Sequence, residues 1–206
     1  LKNERVKYLS LILFSLVIYT NYLANALPIG GVTTGEVSDL LDNLFTPTGF
    51  TFSIWGIIYL SLFIFLISLF RISEDNKPFI SKVLVLFNIN SLLNISWIFA
   101  WHYMLFPLSL IIMLGLLYTL ILISRVIKTY YIDLNSSYLY NITSFSFNIY
   151  FGWITVATVA NFTGLLVSYE WGGFGISHEL WTSFIIFVAS VIASITFFKN
   201  RAIWLS

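Results

Sequence analysis

Tyr150-Phe151-Gly152-Trp153-Ile154-Thr155-Val156-Ala157-Thr158-Val159-Ala160-Asn161 lies near the end of a long apolar run, and its reading decides the fold. It puts polar and aromatic groups where lipid favours neither. In an α-helix Tyr150, Trp153, Ala157 and Asn161 recur at steps of three and four residues, so they share one face. That face is an aromatic wall with an amide at its end. Two readings fit it: helix packing, with Trp and Tyr at the interface and Ala at a close contact, or the wall of a site inside the membrane.

Composition fixes the solvent. The chain is 59% hydrophobic and 9% charged, and its mean hydropathy of +0.91 excludes an ordinary water-soluble domain. The expected class is an all-α integral membrane protein. The absence of Cys removes disulfides, thiolate nucleophiles and Cys-built metal sites, and two His are too few for a His-built metal centre. Net charge is +1, with no basic patch of the kind nucleic acid requires.

Six apolar runs reach the roughly 20 residues that a spanning helix needs. They cover approximately 6–26, 50–70, 83–101, 105–124, 138–161 and 180–198. The first follows Lys2, Arg5 and Lys7 as a signal peptide would, but Asn25-Ala26-Leu27-Pro28 is a poor cleavage site, so it reads as a retained span. Arg71, Lys77 and Lys82 lie between spans two and three, Arg125 and Lys128 after span four, and Lys199 and Arg201 after span six. Together with the first three, these are all ten basic residues. The other connections carry Glu36, Asp39, Asp42, Glu170 and Glu179 instead. By the positive-inside rule both termini are cytoplasmic, and the expected location is a bacterial cell membrane. Five or seven spans would break the alternation.

The segment 27–45 joins spans one and two. Its Gly-rich start is irregular, and Thr34 or Ser38 is placed to cap a short amphipathic helix ending before Pro47. Such a helix would form a lid at the membrane surface; a solvated acidic loop is the simpler expectation. Span two opens with Pro47, tolerated in a first helical turn, and sets Phe52, Trp55 and Tyr59 on one face. Span three repeats the pattern with Asn90, Asn94, Trp97 and Trp101. Amides in hydrocarbon are costly unless bonded, so Asn90 and Asn94 must face protein or a cavity.

Pro47-x-x-Phe50-x-x-x-x-Trp55-x-x-x-Tyr59, Asn94-x-x-Trp97 and Tyr150-x-x-Trp153-x-x-x-Ala157-Thr158-x-x-Asn161 resemble spans two, three and five of the TspO/MBR family. These are the tryptophan-rich sensory proteins, related to the mitochondrial translocator protein. Order and spacing agree, as does the long loop after span one, so the resemblance covers about residues 6–163. It implies a five-helix bundle whose internal pocket, closed by that loop, binds porphyrins, haem-related pigments or other flat apolar ligands. Carried over by position, Trp97 and Trp153 flank the ligand and Ala157 shapes the pocket. Asn90, Asn94, Trp55 and Tyr59 line or support it, and Tyr150 and Asn161 complete the candidate set. No cofactor is required beyond such a porphyrin or haem-like ligand, and the partners implied are that ligand, the lipid bilayer and a second copy in a homodimer.

This chain departs from the family where prolines usually follow the span-three Trp and precede the span-five Tyr; it has Ile98, Phe99 and Ile149. Span three is therefore expected to be straighter. A five-helix unit over 1–163 is followed by an outer loop with Trp171 and His178 and by an added sixth span, over 164–206, as in the larger branch of the family. Ala202-Ile203-Trp204-Leu205 reads as the start of a further segment, and with the missing initial Met it predicts a longer natural protein.

Other chemistry is sparse. No Asp, Glu, Lys, Arg or His sits mid-span, so a proton relay or charge-coupled transporter lacks its parts. The neutral imidazole of His102 suits axial ligation of haem iron, but an interfacial His bonded to water is the expected role. Three functions follow: a sensor or carrier for tetrapyrrole-like molecules, a six-helix substrate-binding subunit of a vitamin transporter, or a light-dependent porphyrin-degrading enzyme working through its Trp residues. The second lacks the Ala-x-x-x-Ala contact expected in span one. For ordinary catalysis no acid, base or nucleophile is present, and no catalytic or metal-ligating residue is assigned.

Overall fold

The computed structural model describes residues 2–41, 49–71, 77–130, 138–177, 179–187 and 190–191. Apolar runs become helices because in lipid every backbone N–H and C=O must be satisfied within its own segment. In chain order these are α1 (Lys2–Ala26), the short α2 (Thr34–Asp39), α3 (Ile54–Ser68), α4 (Lys77–His102), α5 (Phe106–Thr129) and α6 (Tyr138–Ser168). The described residues contain no strand. Five of the helices are long and apolar enough to cross a membrane. Side chains such as Ile12, Leu60, Ile111 and Tyr118 lie exposed on their outer faces, as a lipid-facing surface requires. The chain is a multi-pass membrane protein with an all-α bundle.

The predicted sixth span is only partly visible. Residues 179–187 are helical and mostly exposed, and the Trp181 indole N–H donates to the Gly173 carbonyl at 2.7 Å. Beyond 187 the span lies outside the described residues apart from 190–191, as do Pro47 and His178.

Five long helices follow one another around the bundle: α4 packs between α1 and α5, α5 against α6, and α6 against α3. Contact between α1 and α3 closes the ring along its loosest seam. Rings of Phe65, Phe87 and Phe147 meet at centroid distances of 5.3 to 6.4 Å and plug one end. At that same end Lys82 lies over the Tyr130 ring, 5.3 Å from its centroid, and Tyr8 meets Phe70. The starts of α1 and α4 and the ends of α3 and α5 thus share one basic end, and the acidic lid segment lies at the other. From this polarity, reporters fused after Ser206 and inserted at Lys77 should both read cytoplasm, and one at Asp39 should read outside. A carboxyl terminus found outside would overturn the orientation.

Two sequence expectations need correction. The segment after span one is not a solvated loop: Thr34, Val37, Ser38 and Leu41 are buried. The cap of α2 is Thr33, neither Thr34 nor Ser38. Its hydroxyl accepts from the Glu36 N–H (3.2 Å) and its own N–H donates to the Glu36 carboxylate at 2.6 Å, a reciprocal pair that satisfies two free donors. The Thr33 N–H, and then its hydroxyl, hold the exposed Glu36 carboxyl below the usual carboxylate range. The cap is complete above that range and fades as pH falls through the lowered value. Secondly, α6 runs to Ser168, seven residues past the predicted end, because its last turns have work to do at the lid.

Candidate functional site

Trp55 is the hub. Its ring stacks on Tyr59 one turn later (5.4 Å, 25°), and meets Tyr150 (5.8 Å) and Trp153 (6.1 Å) edge-on across the α3–α6 contact. Phe52 meets Trp153 at 6.2 Å and Phe14 meets Tyr59 at 6.3 Å. Edge-to-face pairs of this kind hold rings rigid at little entropic cost.

Below this group an amide chain crosses the bundle. The Asn21 Nδ2 donates to the Val17 carbonyl (2.9 Å) and to Asn94 Oδ1 (3.1 Å), and Asn94 Nδ2 donates to the Tyr150 hydroxyl oxygen (3.2 Å). Asn90 turns the other way, bonding Thr119 and the Leu116 carbonyl on α5. Asn161 accepts from the Ser109 hydroxyl at 3.1 Å, tying α6 to α5.

Above it sits a second aromatic group and the lid. Trp97 stacks on Trp101 (5.8 Å, 19°), and Trp101 meets Phe106. The Trp101 indole N–H donates to the Thr34 carbonyl at 3.2 Å. His102 Nδ1 lies 2.7 Å from the Ile98 carbonyl, which can only accept, so Nδ1 carries a proton, and Nε2 lies 3.3 Å from the Thr34 hydroxyl, which can either donate or accept. His102 is 2% exposed; it is a lid anchor, not an interfacial residue in water. Gly164 completes the seat: a Cβ there would lie 2.8 Å from Leu41 Cδ1.

Between the two groups α6 is less fully buried. Ile154 and Asn161 are buried, whereas Ala157 and Ala160 between them, and Trp153 beside Ile154, are half-buried, with Trp153 and Ala157 packed against the core. Several candidate residues carry buried polar atoms without a protein partner: Tyr59 OH, Trp97 Nε1, Trp153 Nε1 and Asn161 Nδ2, as does Asn88 Oδ1 outside the candidate set. Buried polar groups left unbonded are costly, and the four candidates come from three helices, α3, α4 and α6.

Two comparisons are silent: no curated protein and no solved structure matches the chain. A family model described as TSPO-like protein matches residues 7–206. The chain belongs to the TSPO-like protein family. The match extends beyond the motifs at 47–59, 94–97 and 150–161 and takes in the sixth span.

In this TSPO-like chain the predicted residues divide by position. Trp55, Tyr59, Tyr150 and Trp153 form one ring group, with Ala157 beside it; Asn94 supports it from α4. Trp97 belongs to the other stack and makes no ring contact with Trp153 among the described residues. Asn90 serves the α4–α5 contact rather than the ring group. Sequence reading missed Asn21 and Phe14, which sit in an otherwise ordinary first span, and the lid seat of Thr34, Leu41 and Gly164. Asn21 and Asn25, four residues apart near the end of span one, were the available signal for the first.

Proposed function

We propose that this protein is a membrane sensor or carrier that binds a flat, largely apolar ligand, of the tetrapyrrole-like class or similar in shape, between the two aromatic groups and beneath the lid. The observation that carries this is the set of four unpartnered polar atoms, on Tyr59, Trp97, Trp153 and Asn161, all members of the candidate set that the family resemblance implies. Packing alone would select against indole N–H groups there, since Phe fills similar volume without an orphaned donor. With both termini in the cytoplasm of a bacterial cell, the ligand would enter from the outer face. A homodimer and a role for the sixth helix outside the pocket fit the exposed apolar surface of 179–187.

Absorbance and Trp fluorescence titration of detergent-purified protein with protoporphyrin, haem and a vitamin panel tests it. Protoporphyrin should quench the indoles saturably, and the vitamins should not. Trp97→Phe and Trp153→Phe should each weaken binding about tenfold. Melting temperature should hardly move, because losing an orphaned N–H offsets the lost ring area. Unchanged affinity in both folded variants would make these residues packing and remove the site.

A further inference from the structure

The amide chain beneath the rings has a fixed direction. A main-chain carbonyl can only accept, so the Asn21 atom 2.9 Å from Val17 O is Nδ2. The same nitrogen faces Asn94, which must therefore present Oδ1, at 3.1 Å. Asn94 is then left with Nδ2 toward Tyr150 and donates to the hydroxyl oxygen at 3.2 Å. A hydroxyl oxygen that accepts from Asn94 cannot give its own hydrogen back along that bond. No acceptor for that hydrogen appears among the described residues, and the ring it belongs to is held edge-on against Trp55 within the site.

We infer that Asn21, acting through Asn94, sets Tyr150 as a hydrogen-bond donor to the ligand, so that the site selects flat neutral molecules carrying acceptors such as a ring carbonyl. The rest of the lining agrees. Trp97 and Trp153 offer indole N–H groups and Asn161 an amide N–H₂, none with a protein partner; an indole nitrogen only donates. A ligand N–H would meet mainly donors, the Tyr59 hydroxyl being the unpartnered group named here that can also accept. A carboxylate would meet donors but no counter-charge: the described Lys and Arg residues lie at the helix ends, and an unpaired buried charge is expensive. Acidic ligands would have to keep their charge outside the ring group. Asn21 is thus a positioning residue for specificity, in the last turns of α1 and touching no ligand itself. This rests on the pocket reading above and narrows it.

Three tricyclic probes of nearly one shape separate the terms: 9-fluorenone with a carbonyl, fluorene with no polar group, and carbazole with an N–H. Binding to the full-length protein in detergent is followed by Trp quenching, and the fluorenone C=O stretch by infrared difference spectroscopy. Fluorenone should bind about tenfold tighter than fluorene or carbazole, the worth of one or two good hydrogen bonds, and its C=O band should move to lower frequency when bound. Tyr150→Phe keeps the ring and should erase most of that preference and the part of the band shift due to the hydroxyl, leaving fluorene affinity unchanged. Asn21→Leu should do the same, and in the Tyr150→Phe background it should add nothing. If Asn21→Leu does not fold, Tyr150→Phe still decides. Equal, saturable binding of all three probes would overturn the donor assignment and leave the pocket standing; binding of none would overturn both. A preference for fluorenone that survives Tyr150→Phe would overturn the role given to Asn21.

Discussion

Ala157→Leu should lower porphyrin affinity by about a hundredfold or more while the protein stays folded and its melting temperature moves by only a few degrees. The position lies one turn from Trp153 and one turn from Asn161, on the half-buried stretch of α6 that faces the core. Leu adds three carbons at a position that is only half-buried, so the new atoms need not displace a fully packed neighbour. Overpacking, which normally makes small-to-large core changes costly, is therefore small, and Ala and Leu are both strong helix formers. A flat ligand lying between the Trp153 and Trp97 groups has no such tolerance: three carbons in its plane exclude it. The substitution removes no proposed contact, so a loss of binding measures occupancy of the proposed site and nothing else. Fluorescence titration beside thermal unfolding checks it, and a folded variant that binds porphyrin normally would remove the site whatever the family.

Sequence periodicity reached the membrane class, five of the spans and one face of each lining helix, because in lipid a helix is the obligatory answer to an apolar run and steps of three and four residues then fix what shares a side. Trp55 stacks on Tyr59, and Tyr150 and Trp153 both meet Trp55, for that reason. What periodicity does not carry is which helices are neighbours. Asn90 and Asn94 look equivalent four residues apart, yet one bonds α5 and the other reaches α1 and α6, a distinction set by the slow rotation of a helix face against partners that the sequence does not order. Lid packing was hidden differently. Glu36 and Asp39 made 27–45 look solvated, but both are exposed on one side of a two-turn helix whose other side buries Val37; six residues are too few for a clear amphipathic signal. His102 was misread for a related cause, since its place at a helix end says surface until something is known to cover that end.

Val37→Asp should detach the lid and weaken ligand binding by at least about tenfold, with the five long helices still assembled. Val37 is 0% exposed and sits on the bundle-facing side of α2, so an aspartate there must either bury an unpaired carboxylate or leave. Burial of an isolated charge costs far more than a short helix gains from its seat. The seat amounts to the Trp101 and His102 bonds to Thr34 and the Leu41 contact at Gly164, each bond worth about 1 kcal/mol net. The long helices make their contacts with one another and do not depend on α2. Amide exchange over residues 34–41 should therefore speed up by orders of magnitude while α4 and α6 keep their protection, and an aqueous quencher should gain access to the Trp97–Trp101 stack beneath the lid. Asp39→Asn, on the exposed side of α2, should change none of these. The two effects also separate the lid's roles: if exchange accelerates but ligand affinity and dissociation rate stay as they were, α2 covers the end of α4 without closing the pocket, and entry must be sought along the loose α1–α3 seam.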